Sequence, residues 1–148
     1  PEWLRHIPLF ATLGSDVLEQ LAAQFDILRC EADKIIIKQH DKGEKFFVIV
    51  AGEVTVEKET EGEIETTATL TDGDFLGEIA LLFDTPRNAT VRTKTTTIFL
   101  TLHYQKFHQI IKNLPEDIRA ALFAKAIERF SPEQKELSLS PRFTSEGK

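Results

Sequence analysis

Methionine is absent from this 148-residue sequence, and cysteine, tryptophan and tyrosine occur once each. A single thiol, Cys30, excludes an internal disulfide framework and a cysteine-rich zinc site; a reducing, cytoplasmic setting is the matching expectation. Long apolar runs are missing too. Stretches such as residues 46–51 are far too short to cross a bilayer, so a membrane-spanning helix is excluded. Positive charge is in deficit: 18 Lys and Arg stand against 24 Asp and Glu, a net charge of −6. Duplex DNA or RNA is therefore a poor partner, because backbone binding needs a basic footprint. The missing methionine and the opening Pro1-Glu2-Trp3, with no secretory signal visible, give the expectation of a piece of a longer chain.

What is present suits one globular domain. Hydrophobic residues make up 41% and charged residues 28%, and a chain of this length buries about two-thirds of its unfolded surface. Residues 1–25 read as helical, with Ser15 or Asp16 as cap and Leu18, Leu21, Ala22 and Phe25 at helical spacing. Residues 26–102 read as β. Thirteen of the 15 threonines lie between Thr55 and Thr101, and β-branched residues favour a pleated surface. Apolar runs at 35–37, 46–51, 54–56, 64–70, 89–91 and 98–102 are divided by turn signals at Asp41-Lys42-Gly43, Gly52, Gly62 and Asp72-Gly73-Asp74. Around Gly62 the even positions Val54, Val56, Ile64, Thr66, Ala68 and Leu70 predict one buried face, with Glu53, Glu57, Glu63 and Glu65 on an acidic one.

Residues 103–130 return to helix. Phe107, Ile110, Ile111 and Leu114 share a face, and Pro115-Glu116-Asp117 opens a second helix. That last helix carries two stripes: Phe123, Ile127 and Phe130 on one, Ile118, Leu122, Lys125 and Arg129 on the other. The tail 131–148 is polar, holds Ser-Pro twice, and is expected to be mobile.

Residues 74–91 do not read as a strand. Gly77 to Leu82 fits a short helical turn whose exposed N–H groups could receive an anion. Arg87, just past Pro86, offers two parallel donors suited to two phosphate oxygens. Glu78, acceptor-only when ionised, suits a sugar hydroxyl and would repel a phosphate. Together they imply a ligand carrying one phosphate and one ribose.

The run Gly77-Glu78-Ile79-Ala80-Leu81-Leu82, followed by Pro86-Arg87-Asn88-Ala89-Thr90-Val91, resembles the phosphate-binding cassette of cyclic nucleotide-binding domains. These occur in protein kinase A regulatory subunits, cyclic-nucleotide-regulated channels and catabolite-activator transcription factors. The resemblance extends to the layout of residues 4–130, including the Pro8-Leu9-Phe10 lead-in, Gly43 and Gly52. It implies a mainly β fold with flanking helices. Specifically, an eight-stranded antiparallel jelly-roll barrel (26–102, cassette 76–91) would follow N-terminal helices (1–25) and precede hinge and lid helices (103–130).

The implied ligand-binding set is Gly77, Glu78, Ile79, Ala80, Arg87, Asn88 and Ala89. In it, Glu78 takes the ribose 2′-hydroxyl and Arg87 the cyclic phosphate. Ile118, Leu122, Lys125 or Arg129 of the lid would cover the purine, the choice between the two stripes staying open. Two positions depart from the pattern: Leu76 stands where an aromatic is usual, and Asn88 where alanine, serine or threonine is usual. The implied ligand is cAMP, with cGMP as the alternative.

Other features have plainer readings. Asn88-Ala89-Thr90 matches the N-glycosylation pattern by accident in a cytoplasmic chain. His6, His40, His103 and His108 lack facial-triad spacing, so neither a metal nor a cupin-type enzyme is expected. No nucleophile or acid–base pair stands out, no cofactor is implied, and no reaction is expected. Cys30 reads as a buried structural thiol, and the alternating glutamates 57–65 as a solvated hairpin. The expected function is a regulatory module that senses a cyclic nucleotide and passes lid closure to an attached effector domain. The alternatives are the effector domain of a catabolite-activator-type transcription factor and a ligand-free interaction domain. Residues 131–148 are too short and polar for a helix-turn-helix, so this piece is not expected to touch nucleic acid, or a membrane.

Overall fold

The computed structural model describes residues 2–84 and 86–129, with the side chain of Arg129 outside that description. The expected tail (131–148) and Phe130 also lie outside the described residues.

Two 3-10 turns, Glu2–His6 and Pro8–Phe10, lead into α1 (Ser15–Ala23). The strands follow: β1 (Asp26–Cys30), β2 (Ile35–Ile37), β3 (Lys45–Ala51), β4 (Glu53–Thr60), β5 (Glu63–Thr71), β6 (Phe75–Leu76), β7 (Thr90–Thr93) and β8 (Thr97–His103). A 3-10 turn at Glu78–Leu81 separates β6 from β7, and α2 (Tyr104–Ile111) and α3 (Glu116–Arg129) close the described chain. The strands form two antiparallel four-stranded sheets, in the orders β1-β8-β3-β6 and β2-β7-β4-β5.

The apolar run of β3 explains how helices and sheets are layered. Strand side chains alternate between faces. Phe46 and Val48 accordingly join the helical core, while Phe47 and Ile49 turn the other way. A strand buried on both faces needs no polar alternation. Between the sheets, Phe47, Ile49, Leu76 and Phe99 meet Ile37, Val54 and Val91. On the helical side, Phe46, Val48 and Leu102 pack with Leu9, Phe10, Leu18, Leu21, Phe107 and Ile111. Burying each such side chain stabilises the fold by about 1.5–3 kcal/mol.

Three local expectations are corrected. Ser15 does not cap α1: Gly14 occupies that position without a side-chain bond, and the Ser15 hydroxyl instead accepts from Arg5 Nη2 at 3.0 Å. The β4–β5 hairpin turns on Glu61-Gly62, with φ of 53° and 84°, the signature of the type I′ turn that suits strand twist. Its even-numbered face, however, is not continuous. Val54 pairs with Leu70 and Val56 with Ala68, but Glu57 then pairs with Thr66 and Glu59 with Ile64. Thr67 is the extra residue of a bulge, and a one-residue slip moves every following side chain to the other face. Ile64 and Thr66 therefore share the outer face with Glu57 and Glu59, and Ile64 is 70% exposed.

The third correction concerns α3. The chain enters it over Pro115, whose carbonyl accepts from the N–H groups of Ile118 and Arg119, each at 3.1 Å. Its buried face runs between the two apolar stripes, centred on Leu122 and on Ala126, a residue neither stripe contains. Ile118 and Phe123 flank this face, and Ile127 faces solvent.

Candidate functional site

The cassette sits where the two cores meet. Gly77, with φ 83° and ψ 15°, turns the chain out of β6 in the left-handed conformation. The 3-10 turn that follows is closed by Ala80 N–H on Gly77 O at 3.1 Å and by Leu82 N–H on Ile79 O at 3.0 Å. Leu81, Leu82 and Phe83 leave this turn into the helical core. Glu78 is 4% exposed and Ala80 4%. Both line a pocket of about 310 Å³, within the range typical of small-molecule sites.

That pocket brings together Gly77, Glu78, Ile79, Ala80, Arg87, Asn88 and Ala89, all seven residues of the expected ligand-binding set. Its remaining wall is largely apolar, with Ile37, Val56, Phe75, Leu76, Pro86 and Val91. A carboxylate and a guanidinium thus converge on one mostly hydrophobic hollow, the arrangement that orients a mixed apolar and charged ligand.

Arg87 is seated by a loop that carries no recognisable motif. Its N–H donates to Asp41 O and its carbonyl accepts from His40 N–H, both at 2.7 Å. Nη2 donates to Lys45 O at 2.6 Å. The guanidinium lies against two glycines. A Cβ added to Gly43 would stand 2.6 Å from Arg87 Cζ, and one added to Gly77 would stand 2.6 Å from Nη1. Sequence reasoning noted Gly43 only as a turn residue, and nothing in the stretch 40–45 signalled that it holds the arginine.

Gly77→Ala is expected to lower stability by about 1–2 kcal/mol, because a non-glycine residue here must adopt the left-handed conformation. Its Cβ would also press on Lys45 O at 3.0 Å. Thermal unfolding checks this; an unchanged Tm would contradict it.

The lid residues are elsewhere. Leu122 is 1% exposed, packed in the helical core with Ile118 beside it. None of Ile118, Leu122 and Lys125 lines the pocket in this arrangement. A direct link between α3 and the cassette does exist: the Phe83 and Phe123 rings meet edge-on, with centroids 5.6 Å apart. The histidines are dispersed, and His103 caps α2, its Nδ1 accepting from Gln105 N–H at 3.1 Å. Burial and the neighbouring Lys112 push the His108 pKa down, and burial pushes the Cys30 thiol up. Among the described residues no three of His, Cys, Asp and Glu are grouped to hold a metal ion.

Two facing antiparallel sheets with an acid, an arginine and a glycine-led turn on one pocket define a binding domain for a small phosphorylated ligand. A sequence model described as the cyclic nucleotide-binding domain matches residues 27–113, and the chain belongs to that family. It is 34% identical over 110 residues to a cAMP-dependent protein kinase regulatory subunit of Schizosaccharomyces pombe, covering 74% of this chain and 26% of that one. A cyclic nucleotide-gated potassium channel of Mesorhizobium japonicum is 35% identical over 124 residues, covering 83% of this chain and 33% of the channel. The regulatory domain of Toxoplasma gondii PKA, solved with cAMP, superposes with a TM-score of 0.70 at 29% identity, over 76% of this chain and 43% of that one. The chain spans only about a quarter to a third of these curated relatives.

Proposed function

We propose that this domain binds a cyclic nucleotide monophosphate, cAMP ahead of cGMP, and relays its occupancy to an attached effector domain in a cytoplasmic protein. The observation that carries this reading is the presence of Glu78 and Arg87 on one pocket. Arg87 pairs with the cyclic phosphate and Glu78 accepts from the ribose 2′-hydroxyl. The Gly77–Ala80 turn and the Asn88-Ala89 backbone border the ribose and phosphate. Because the Ala80 N–H already donates to Gly77 O, its use by a phosphate requires the turn to open slightly. No step of chemistry is needed: binding is the function.

The relay runs through the aromatic contact. Phosphate capture pulls on the cassette, Phe83 moves with it, and Phe123 carries the displacement into α3. For Leu122 to reach a purine, it must leave the helical core, which costs about 1.5–3 kcal/mol. The nucleotide must prefer the closed form by at least that much, since a ligand shifts an equilibrium only through differential affinity. Closure by Ile118, Lys125 or Arg129 instead would leave Leu122 as the pivot.

Glu78→Ala is expected to weaken cAMP binding about tenfold or more while changing the affinity for 2′-deoxy-cAMP much less, since a hydrogen bond to a charged group is worth about 1.5–3 kcal/mol. Calorimetric titration of both ligands decides it. Equal losses would contradict the 2′-hydroxyl role.

A further inference from the structure

A second cavity, of about 200 Å³, shares Arg87 and Ile37 with the nucleotide pocket but is otherwise lined by different residues. Lys38, Lys42, Lys45 and Arg87 contribute four positive charges, against two negative ones from Asp41 and Glu44. With Asp84, which pairs with Lys42, counted beside them, the local balance is +1, opposite in sign to a chain whose net charge is −6. Two of these groups have ion-pair partners: Lys42 Nζ lies 3.4 Å from Asp84 Oδ2, and Glu44 Oε1 lies 3.6 Å from His103 Nε2. Lys38 and Lys45 enter no ion pair among the described residues.

A concave surface of this sign on an acidic protein concentrates anions. We infer that the cavity is a second anion site, taking a free polyvalent oxyanion of the pyrophosphate class, and that it opposes nucleotide binding through Arg87. The inference rests on the nucleotide reading for the coupling, though not for the site itself. The sign follows from the shared group. One guanidinium, seated over Gly43 and Gly77 with Nη2 on Lys45 O, cannot offer the same parallel pair of donors to two phosphates at once. Two anions beside one arginine also repel each other.

The test uses inorganic pyrophosphate at constant ionic strength, on the wild-type chain and on Lys38→Gln, which lies outside the nucleotide pocket. Pyrophosphate alone is expected to shift the backbone-amide resonances of residues 36–45, and Lys38→Gln to weaken that response several-fold. Saturating pyrophosphate is expected to raise the Kd for cAMP about fivefold or more, the usual scale of coupling between sites. In Lys38→Gln the cAMP Kd without pyrophosphate stays unchanged, and the antagonism falls.

Shifts confined to residues 77–89, or equal antagonism in both proteins, would overturn the proposal, since pyrophosphate would then be competing inside the nucleotide pocket or merely screening charge. Should cAMP itself fail to bind, the amide titration still reads the second site alone. The two failures are thereby distinguishable.

Discussion

Arg87→Leu is expected to weaken cAMP binding roughly 30-fold to several thousand-fold while the domain stays folded. Truncating one partner of a desolvated, hydrogen-bonded charge pair costs about 2–5 kcal/mol, much of it from stranding the other charge. Leucine ends where the arginine stem does, short of the guanidinium atoms that lie against Gly43 and Gly77, and offers the phosphate nothing. The substitution also removes the exposed Nη2 bond to Lys45 O, so a stability loss of about 0.5–1.5 kcal/mol accompanies it. Circular dichroism and thermal unfolding separate that loss from the binding effect. Gly43→Ala is a useful companion, because it keeps the charge and moves the guanidinium. Its Cβ would press on the flexible arginine end and approach the Ala80 Cβ at 3.0 Å. A folded Arg87→Leu protein with unchanged affinity would remove the arginine from the site.

The largest stability effect is expected at Phe46, which does not line the nucleotide pocket. Phe46 is fully buried and its ring meets Phe10 at 5.7 Å, Phe25 at 6.2 Å and Phe75 at 6.0 Å between centroids. It therefore ties β3 to the N-terminal turns and to the strand that leads into the cassette. Phe46→Ala should cost about 3–5 kcal/mol, a large share of the roughly 5–15 kcal/mol that holds a typical domain. Denaturant titration reads it as a lower midpoint at constant slope. A loss below about 1 kcal/mol would mean that the helical layer collapses around the gap.

These two residues differ in how plainly the sequence announces them. Arg87 belongs to a run of residue types in fixed order, and local order survives folding: seven residues read as one site line one pocket. Phe46 belongs to an apolar run that marks a buried strand but does not say which neighbours meet it. The same division holds elsewhere. The Ile35–Ile37 strand and the Gly62 turn were legible because β-branched runs and glycine act locally. β1 and β6 lay outside the apolar runs, one having charged residues among its five positions and the other being two residues long.

What escaped sequence reading depends on register or on distance. Thr67 breaks the parity of its hairpin without any composition that signals a bulge. Ala126, too small to stand out in a hydrophobic pattern, ends at the centre of the buried face of α3. The loop that seats Arg87 acts through the carbonyls of Asp41 and Lys45 and the amide of His40, groups every residue but proline possesses. A lid reading taken from helical stripes met the same limit. Apolar spacing shows that α3 has something to cover, and here Leu122 covers the helical core.

Cyclic-nucleotide binding at Arg87 is tested most directly by calorimetric titration of the folded, nucleotide-free chain with cAMP and, separately, with cGMP. Saturable, one-to-one binding of both is expected, with cAMP the tighter, and its loss in Arg87→Leu. No binding of either nucleotide to protein shown to be folded would contradict it.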